Sequence, residues 1–294
     1  MIRIGNAPCS WGVEWAGDPR NPPWRQVLAD CAAAGYGGIE LGPIGYMTED
    51  PVELGEGLTE HGLTLIGGVV FRPFHDPAAW GDVQDAARRT CKALVAHGAR
   101  HLVLIDSISP RRAPTAGRAA EAVQMDNADW AGFVGRFHDV ARMGTDHGLT
   151  VSIHAHAAGF IDFEPELERL LAEVDDSLLK ICFDTGHHSY AGFDPVAFMR
   201  RHIGRISYMH FKDIDPVVKA RAIAARTGFY DACAQAIFCN LGRGDVDFAA
   251  VRQVLLDAGF NGWCTVEQDC DPAGPTSPVQ DAAANRAFLQ QIGF

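Results

Sequence analysis

A helix-length segment that ends in glycine and runs straight into a short apolar stretch recurs along the chain. It appears at AAAGYGGIEL (32–41), EHGLTLIGGVV (60–70), AHGARHLVLI (96–105), DHGLTVSIH (146–154) and DAGFNGWCTVE (257–267). Each glycine suits the position just past a helix, where φ is positive and a side chain is strained. The segments before the glycines have helical period. Trp24, Val27, Leu28 and Cys31 share one stripe, and Trp130, Phe133, Val134, Phe137 and Ala141 share another. The apolar runs afterwards read as strands buried on both faces of a parallel sheet. Asp50-Pro51, Asp76-Pro77, Asp194-Pro195 and Ser277-Pro278 mark helix starts, a capping side chain followed by proline. Adding Arg3–Asn6, Leu179–Asp184 and Arg205–Phe211 brings the strands to eight, about 37 residues per βα unit over 294 residues. The pattern predicts an α/β protein, a (β/α)8 TIM barrel forming one domain over 1–294. An open doubly wound sheet is the alternative, but no G-x-G-x-x-G follows the first strand. Two stretches are longer than ordinary loops, 106–128 and 212–246. In a barrel both would overhang the active face, which makes them lid candidates.

The polar residues at the carboxyl ends of these strands are the unusual feature, because the strands are apolar. GIELGP carries Glu40. VSIHAHAAG carries His154 and His156. KICFDTGHH carries Asp184, His187 and His188. ISYMHFKD carries His210, Lys212 and Asp213, and WCTVEQDCD carries Glu267, Asp269 and Asp271. Four consecutive strands thus finish in imidazole or carboxylate, and in a barrel such ends converge. Crowded buried carboxylates repel, and a divalent cation removes that cost. The expected ligand set is His154, Asp184, His210 and Glu267. Mixed nitrogen and oxygen donors without thiolate suit Mn²⁺ or Co²⁺, with Mg²⁺ or Zn²⁺ also compatible. Plainer roles stand beside this one: Asp184 as the cap of the next turn, and Glu267 as the partner of Lys212.

Charge and cysteine usage narrow the class. With 25 basic and 37 acidic residues the formal charge is −12, which disfavours nucleic acid and anionic lipid as partners. No apolar run reaches the length of a membrane span, and the opening MIRIGNAPCSW does not read as a signal peptide. The eight cysteines include no C-x-x-C pair, and Cys182 and Cys264 sit inside apolar strands. They read as reduced thiols of a cytoplasmic protein.

Several motifs carry a resemblance. D-T-G-H (Asp184–His187), H-x-K-D (His210–Asp213), G-x-G-D-V-D-F (Gly242–Phe248) and G-W-x-x-V-E (Gly262–Glu267) resemble the xylose-isomerase-like superfamily of barrels over nearly the whole chain. That superfamily includes endonuclease IV, ketose 3-epimerases, hydroxypyruvate isomerase and inosose dehydratase, which share a metal site of Glu/Asp/His/Glu type. Within it, I-G-x-A-P-x-S-W (Ile4–Trp11), the histidines of His154–His156 and V-E-Q-D-C-D-P (Val266–Pro272) are most similar to the inosose (2-keto-myo-inositol) dehydratases. The chain departs from their V-E-x-E-Q-D-P at its second acidic position and is poorer in histidine around Ser152.

The resemblance implies a metal-dependent carbon–oxygen lyase of inositol catabolism. It would dehydrate a keto-inositol or similar cyclic α-hydroxy ketone through a metal-stabilised enediolate. Reprotonating the same species gives a keto-sugar isomerase or epimerase, the alternative. Epimerase relatives move protons with two metal-bound glutamates, and here His154 replaces one of them. Candidates for proton transfer are Glu267, His156, Lys212 and His187. Candidates for binding a small polyol or keto sugar are Trp11, Glu40, Arg72 and Arg243, with Phe71 as a further apolar face; a plainer role for Glu40 is pairing with Arg72. Arg111 and Arg112, with Arg243, would greet an anionic substrate. The G-R-G-D of Gly242–Asp245 reads as a turn before a helix capped by Asp245 or Asp247 rather than as a phosphate loop. Relatives are often dimers or tetramers, which implies a homo-oligomer.

Overall fold

The computed structural model describes residues 1–270 and 277–294. The strands are β1 (Arg3–Asn6), β2 (Gly38–Ile39), β3 (Thr64–Leu65), β4 (Gly67–Arg72), β5 (His101–Asp106), β6 (Thr150–Ile153), β7 (Lys180–Asp184), β8 (Ile206–Phe211), β9 (Asp213–Ile214), β10 (Phe238–Cys239) and β11 (Trp263–Val266). The helices are α1 (Trp24–Ala33), α2 (Pro51–Glu60), α3 (Trp80–Ala96), α4 (Asn127–Asp146), α5 (Glu164–Glu173), α6 (Thr185–Tyr190), α7 (Pro195–His202), α8 (Pro216–Ala224), α9 (Phe229–Ala234), α10 (Phe248–Asp257) and α11 (Pro278–Gln291).

Nine strands form one parallel sheet in the order β3-β2-β1-β11-β8-β7-β6-β5-β4. Its two outer members, β3 and β4, are separated in the chain by Ile66 alone. Across that break Ile66 N donates to Ile39 O at 3.0 Å and Leu41 N donates to Gly67 O at 2.9 Å. The sheet therefore nearly closes, and β3 with β4 make one stave of a barrel of eight. The glycines of the repeated phrase, Gly35, Gly62, Gly98, Gly148 and Gly259, have φ between +63° and +87°. Asp50 and Asp194 cap α2 and α7 through pairs of backbone amides. Asp76-Pro77 opens a short 3-10 turn ahead of α3, and the Ser277 side chain makes no capping bond.

The main core runs between sheet and helices, and a smaller cluster, Ile66, Val103, Cys182 and Tyr208 among its members, fills the barrel. A third cluster is built from the two long stretches: Ala116 from the first and Phe229, Ile237 and Phe238 from the second pack around Tyr190 of α6. Arg226 and Glu121 pair across these stretches at 2.7 Å. No described helix is long and apolar enough to cross a membrane.

The G-R-G-D turn has an internal occupant. Asp213 Oδ2 accepts from Gly242 N at 2.8 Å and Gly244 N at 2.9 Å, and Oδ1 accepts from Val246 N at 3.1 Å and Ile214 N at 2.9 Å. A Cβ on Gly244 would stand 2.1 Å from Asp213 Oδ1, so only glycine admits this approach. The amides that would cradle a phosphate are spent on a carboxylate of the same chain, and Asp247 caps α10.

Candidate active site

Register carries the four expected ligands to one place. Asp184 at the end of β7 pairs with His210 of β8, and His210 pairs with Thr265 of β11, two residues before Glu267. His154 follows β6 directly. One donor atom from each of His154, Asp184, His210 and Glu267 lies within 4.8 Å of the others, and all four residues are buried. His154 Nε2 is 3.4 Å from Asp184 Oδ2, and His210 Nδ1 is 3.2 Å from Glu267 Oε2.

Glu40 sets the tautomer of His210. Its Oε1 accepts from Tyr208 OH at 2.6 Å and lies 2.8 Å from His210 Nε2. A carboxylate only accepts, so the His210 proton belongs on Nε2 and the Nδ1 lone pair turns toward Glu267. His210 Nδ1 and His154 Nδ1 are both buried without a hydrogen-bond partner among the described residues. His210 Nδ1, orphaned beside Glu267, and His154 Nε2, facing Asp184, fit a divalent cation, and these four side chains could hold one. The plainer roles are present as well. Asp184 Oδ1 caps α6 by accepting from His187 N at 2.7 Å, while its Oδ2 faces the cluster, and Glu267 Oε2 is 3.2 Å from Lys212 Nζ.

The D-T-G-H segment is shaped around Lys212. Thr185 Oγ1 donates to Lys212 O at 2.7 Å, and a Cβ on Gly186 would stand 2.6 Å from Lys212 Cγ. The buried ammonium lies 2.9 Å from Asp269 Oδ2, 3.2 Å from Glu267 Oε2, 3.7 Å from Asp184 Oδ2 and 3.1 Å from His187 Nε2. Burial opposes its charge, but Asp269, Glu267 and Asp184 prevail and hold the ammonium well above the usual lysine range. His156 is in the opposite condition: burial, His154 and Lys212 push its imidazole down to about 3. Its Nδ1 lies 2.9 Å from Ala157 O, a pure acceptor, so Nδ1 carries the proton and Nε2 a lone pair. His187 Nδ1 accepts from Ala157 N at 3.2 Å.

These groups open on a cavity of about 480 Å³. One side is acidic and basic, with Lys212, Glu267 and Asp269. The other is aromatic: Trp15 against Phe71 (5.4 Å between ring centres), Phe71 against His156 (5.2 Å) and His156 against Phe229 (5.6 Å). Glu40 reaches the cavity wall; Trp11, Arg72 and Arg243 do not. Trp11 is turned into the core with its Nε1 donating to Asp30 at 3.2 Å. Arg72 leaves Glu40 alone and pairs with Asp82 at 2.9 Å. Arg243 sits in the turn that wraps Asp213, its amide bonded to Asn240 O. Arg112 is buried against Glu166 at 2.7 Å. His188 packs among Phe183, Phe193 and Phe198. Asp271 and Pro272 lie outside the described residues. The cavity residues that sequence reasoning passed over are Glu14, Trp15, Phe229 and Tyr230. They sit on loops and a short inserted helix, where no periodicity separates wall from core.

The chain is similar to known proteins in sequence and in fold. The inosose dehydratase of Geobacillus kaustophilus is 28% identical over 280 residues, 92% of this chain and 89% of that protein. A rhizopine catabolism protein of Rhizobium meliloti is 29% identical over 92% of this chain and 82% of its own length. Among solved structures, the probable 3-DHS dehydratase of petrobactin synthesis from Bacillus anthracis superposes with a TM-score of 0.73 at 17% identity, covering 99% of both chains. A D-allulose 3-epimerase from Methylomonas sp. does so with 0.71 at 18% identity, over 99% of this chain and 98% of that one. Residues 28–292 match the Xylose isomerase-like TIM barrel family, and the chain belongs to it.

Proposed function

We propose that this chain dehydrates a keto-inositol or closely similar cyclic α-hydroxy ketone, using a divalent ion held by His154, Asp184, His210 and Glu267. The observation that carries the reading is the buried quartet, with His210 Nδ1 orphaned beside Glu267, next to a cavity that His154, Glu267 and Lys212 line. The relatives named inosose dehydratase support it. A bound Mn²⁺ or Co²⁺ supplies Lewis acidity toward carbonyl and hydroxyl oxygens.

The remaining chemistry belongs to the side chains. Losing water next to a ketone needs a base for the α-proton and an acid for the departing hydroxyl. His156 is the group placed to act as base: Ala157 O fixes its proton on Nδ1 and leaves the Nε2 lone pair, a weak base while burial, His154 and Lys212 hold it low, whereas Glu267 Oε2 already faces His210 and Lys212. Lys212 is the acid: its ammonium points among carboxylates and has Asp269 2.9 Å behind it to relay a proton back. The aromatic wall excludes water from the far face of the ring. His154 in place of a glutamate removes one arm of a two-glutamate epimerisation, which favours elimination.

The test is direct. The protein with Mn²⁺ or Co²⁺ and 2-keto-myo-inositol should develop the absorbance of a dione product. No absorbance, together with epimerisation of a keto sugar, would transfer the reading to isomerase.

A further inference from the structure

At the mouth of the cavity, Glu14 has one polar partner, Tyr230 OH at 3.5 Å, and forms no ion pair among the described residues. The cations nearby are committed elsewhere. Lys212 is ringed by Asp269, Glu267 and Asp184, and Arg20 pairs with Asp18 at 2.7 Å. Among the described residues, the carboxylate on the cavity wall without an ion-pair partner is Glu14. Next to Glu14, Trp15 is 41% exposed and lies on Phe71, presenting a flat apolar face inward. Facing surfaces select partners by matching charge, and an unmatched like charge excludes a ligand more effectively than a lost contact does.

We infer that Glu14 and Trp15 form a specificity wall that accepts an uncharged polyhydroxylated ring and rejects a ring carrying a carboxylate or phosphate. This rests on the proposed function, in which a ring ketone binds beside Lys212. Trp15 and Phe71 supply the face for the ring's C–H groups, and Glu14 accepts a hydroxyl at the edge remote from the reacting carbons.

The test is calorimetric binding of 2-keto-myo-inositol and of 3-dehydroshikimate, a carboxylated ring ketone, to the Mn²⁺-loaded full chain. The proteins compared are the parent, Glu14→Gln, Glu14→Lys and Trp15→Ala. The parent should favour the uncharged ring by about 30-fold or more, and Glu14→Lys should shrink that ratio about 10-fold or more, with Glu14→Gln between them. Trp15→Ala should weaken both ligands about 10-fold and leave the ratio unchanged. Equal affinities in the parent, or a Glu14→Lys ratio within about two-fold of the parent, would overturn the inference. Dione formation is read separately. A parent that forms no dione while the ratio responds as expected sinks the proposed reaction alone; normal turnover with an unresponsive ratio sinks the specificity wall alone.

Discussion

Two aspartates end strands of the same sheet at the same rim, and their surroundings make them different objects. Asp106 closes β5. Its Oδ1 accepts from His75 N at 3.0 Å and lies 2.8 Å from His75 Nδ1, and its Oδ2 accepts from Phe160 N at 2.8 Å. Every lone pair that matters is tied to a loop. Asp184 closes β7, gives Oδ1 to the cap of α6 and turns Oδ2 to His154 and Lys212. Burial favours a neutral carboxyl there, but Lys212 and His154 hold it below the usual carboxylate range. The same residue at the same station is a structural knot in the first half of the barrel and turns an oxygen to the candidate site in the second. What separates them is whether loop amides reach the carboxylate before side-chain cations do.

The contrast can be broken at either end. Asp184→Ala should abolish turnover, a fall of about 1,000-fold or more in kcat, and lower metal content, with a smaller loss of stability of about 1 kcal/mol for the lost α6 cap. Asp106→Ala should do the reverse, costing about 3 kcal/mol in denaturant unfolding for three hydrogen bonds while keeping the metal. If both variants lost stability equally and both kept activity, the distinction would be void.

A third carboxylate sharpens the point. Asp213 follows His210 by three residues yet is held by four backbone amides, with Gly244 pressed against it. Gly244→Ala should destabilise by about 2 kcal/mol through that clash, measured as a lowered urea midpoint at unchanged slope. The smallest effect lies at the opposite end of the barrel. Burial, then Arg3, pushes His101 down to about 4, and its ring stacks on Tyr208. The folded state therefore binds fewer protons than the unfolded state between about pH 6.5 and 4. Stability should be intact above 6.5 and fall as pH drops through that window, a loss that His101→Gln should blunt.

The repeated glycine phrase was enough to foresee the barrel, because a helix stop followed by a buried parallel strand leaves a local trace in each unit. The convergence of His154, Asp184, His210 and Glu267 could also be expected, since strand ends at equal depth must meet once the sheet closes. What the sequence did not yield was the wall. Trp11 and Trp15 stand four residues apart in one loop, and nothing local says that Trp11 enters the core while Trp15 lies on Phe71. Arg72 follows Phe71 on β4 and points to the opposite face, toward Asp82. Glu40 was expected to meet substrate or Arg72; its hydrogen bonds go to Tyr208 and His210 across the barrel, contacts separated by about 170 residues of chain. Asp269 stood in view two residues after Glu267, but its pairing with Lys212 depends on the path of the chain beyond β11.

The account turns on one cation held by four side chains. Elemental analysis with Mn²⁺ titration of the purified protein, beside its His210→Ala variant, addresses this most directly. The parent should retain about one equivalent per chain, and the variant should bind at least about 100-fold more weakly, as expected on losing one ligand of four. A parent that binds no divalent ion, or a His210→Ala protein that binds it as tightly as the parent, would contradict the account.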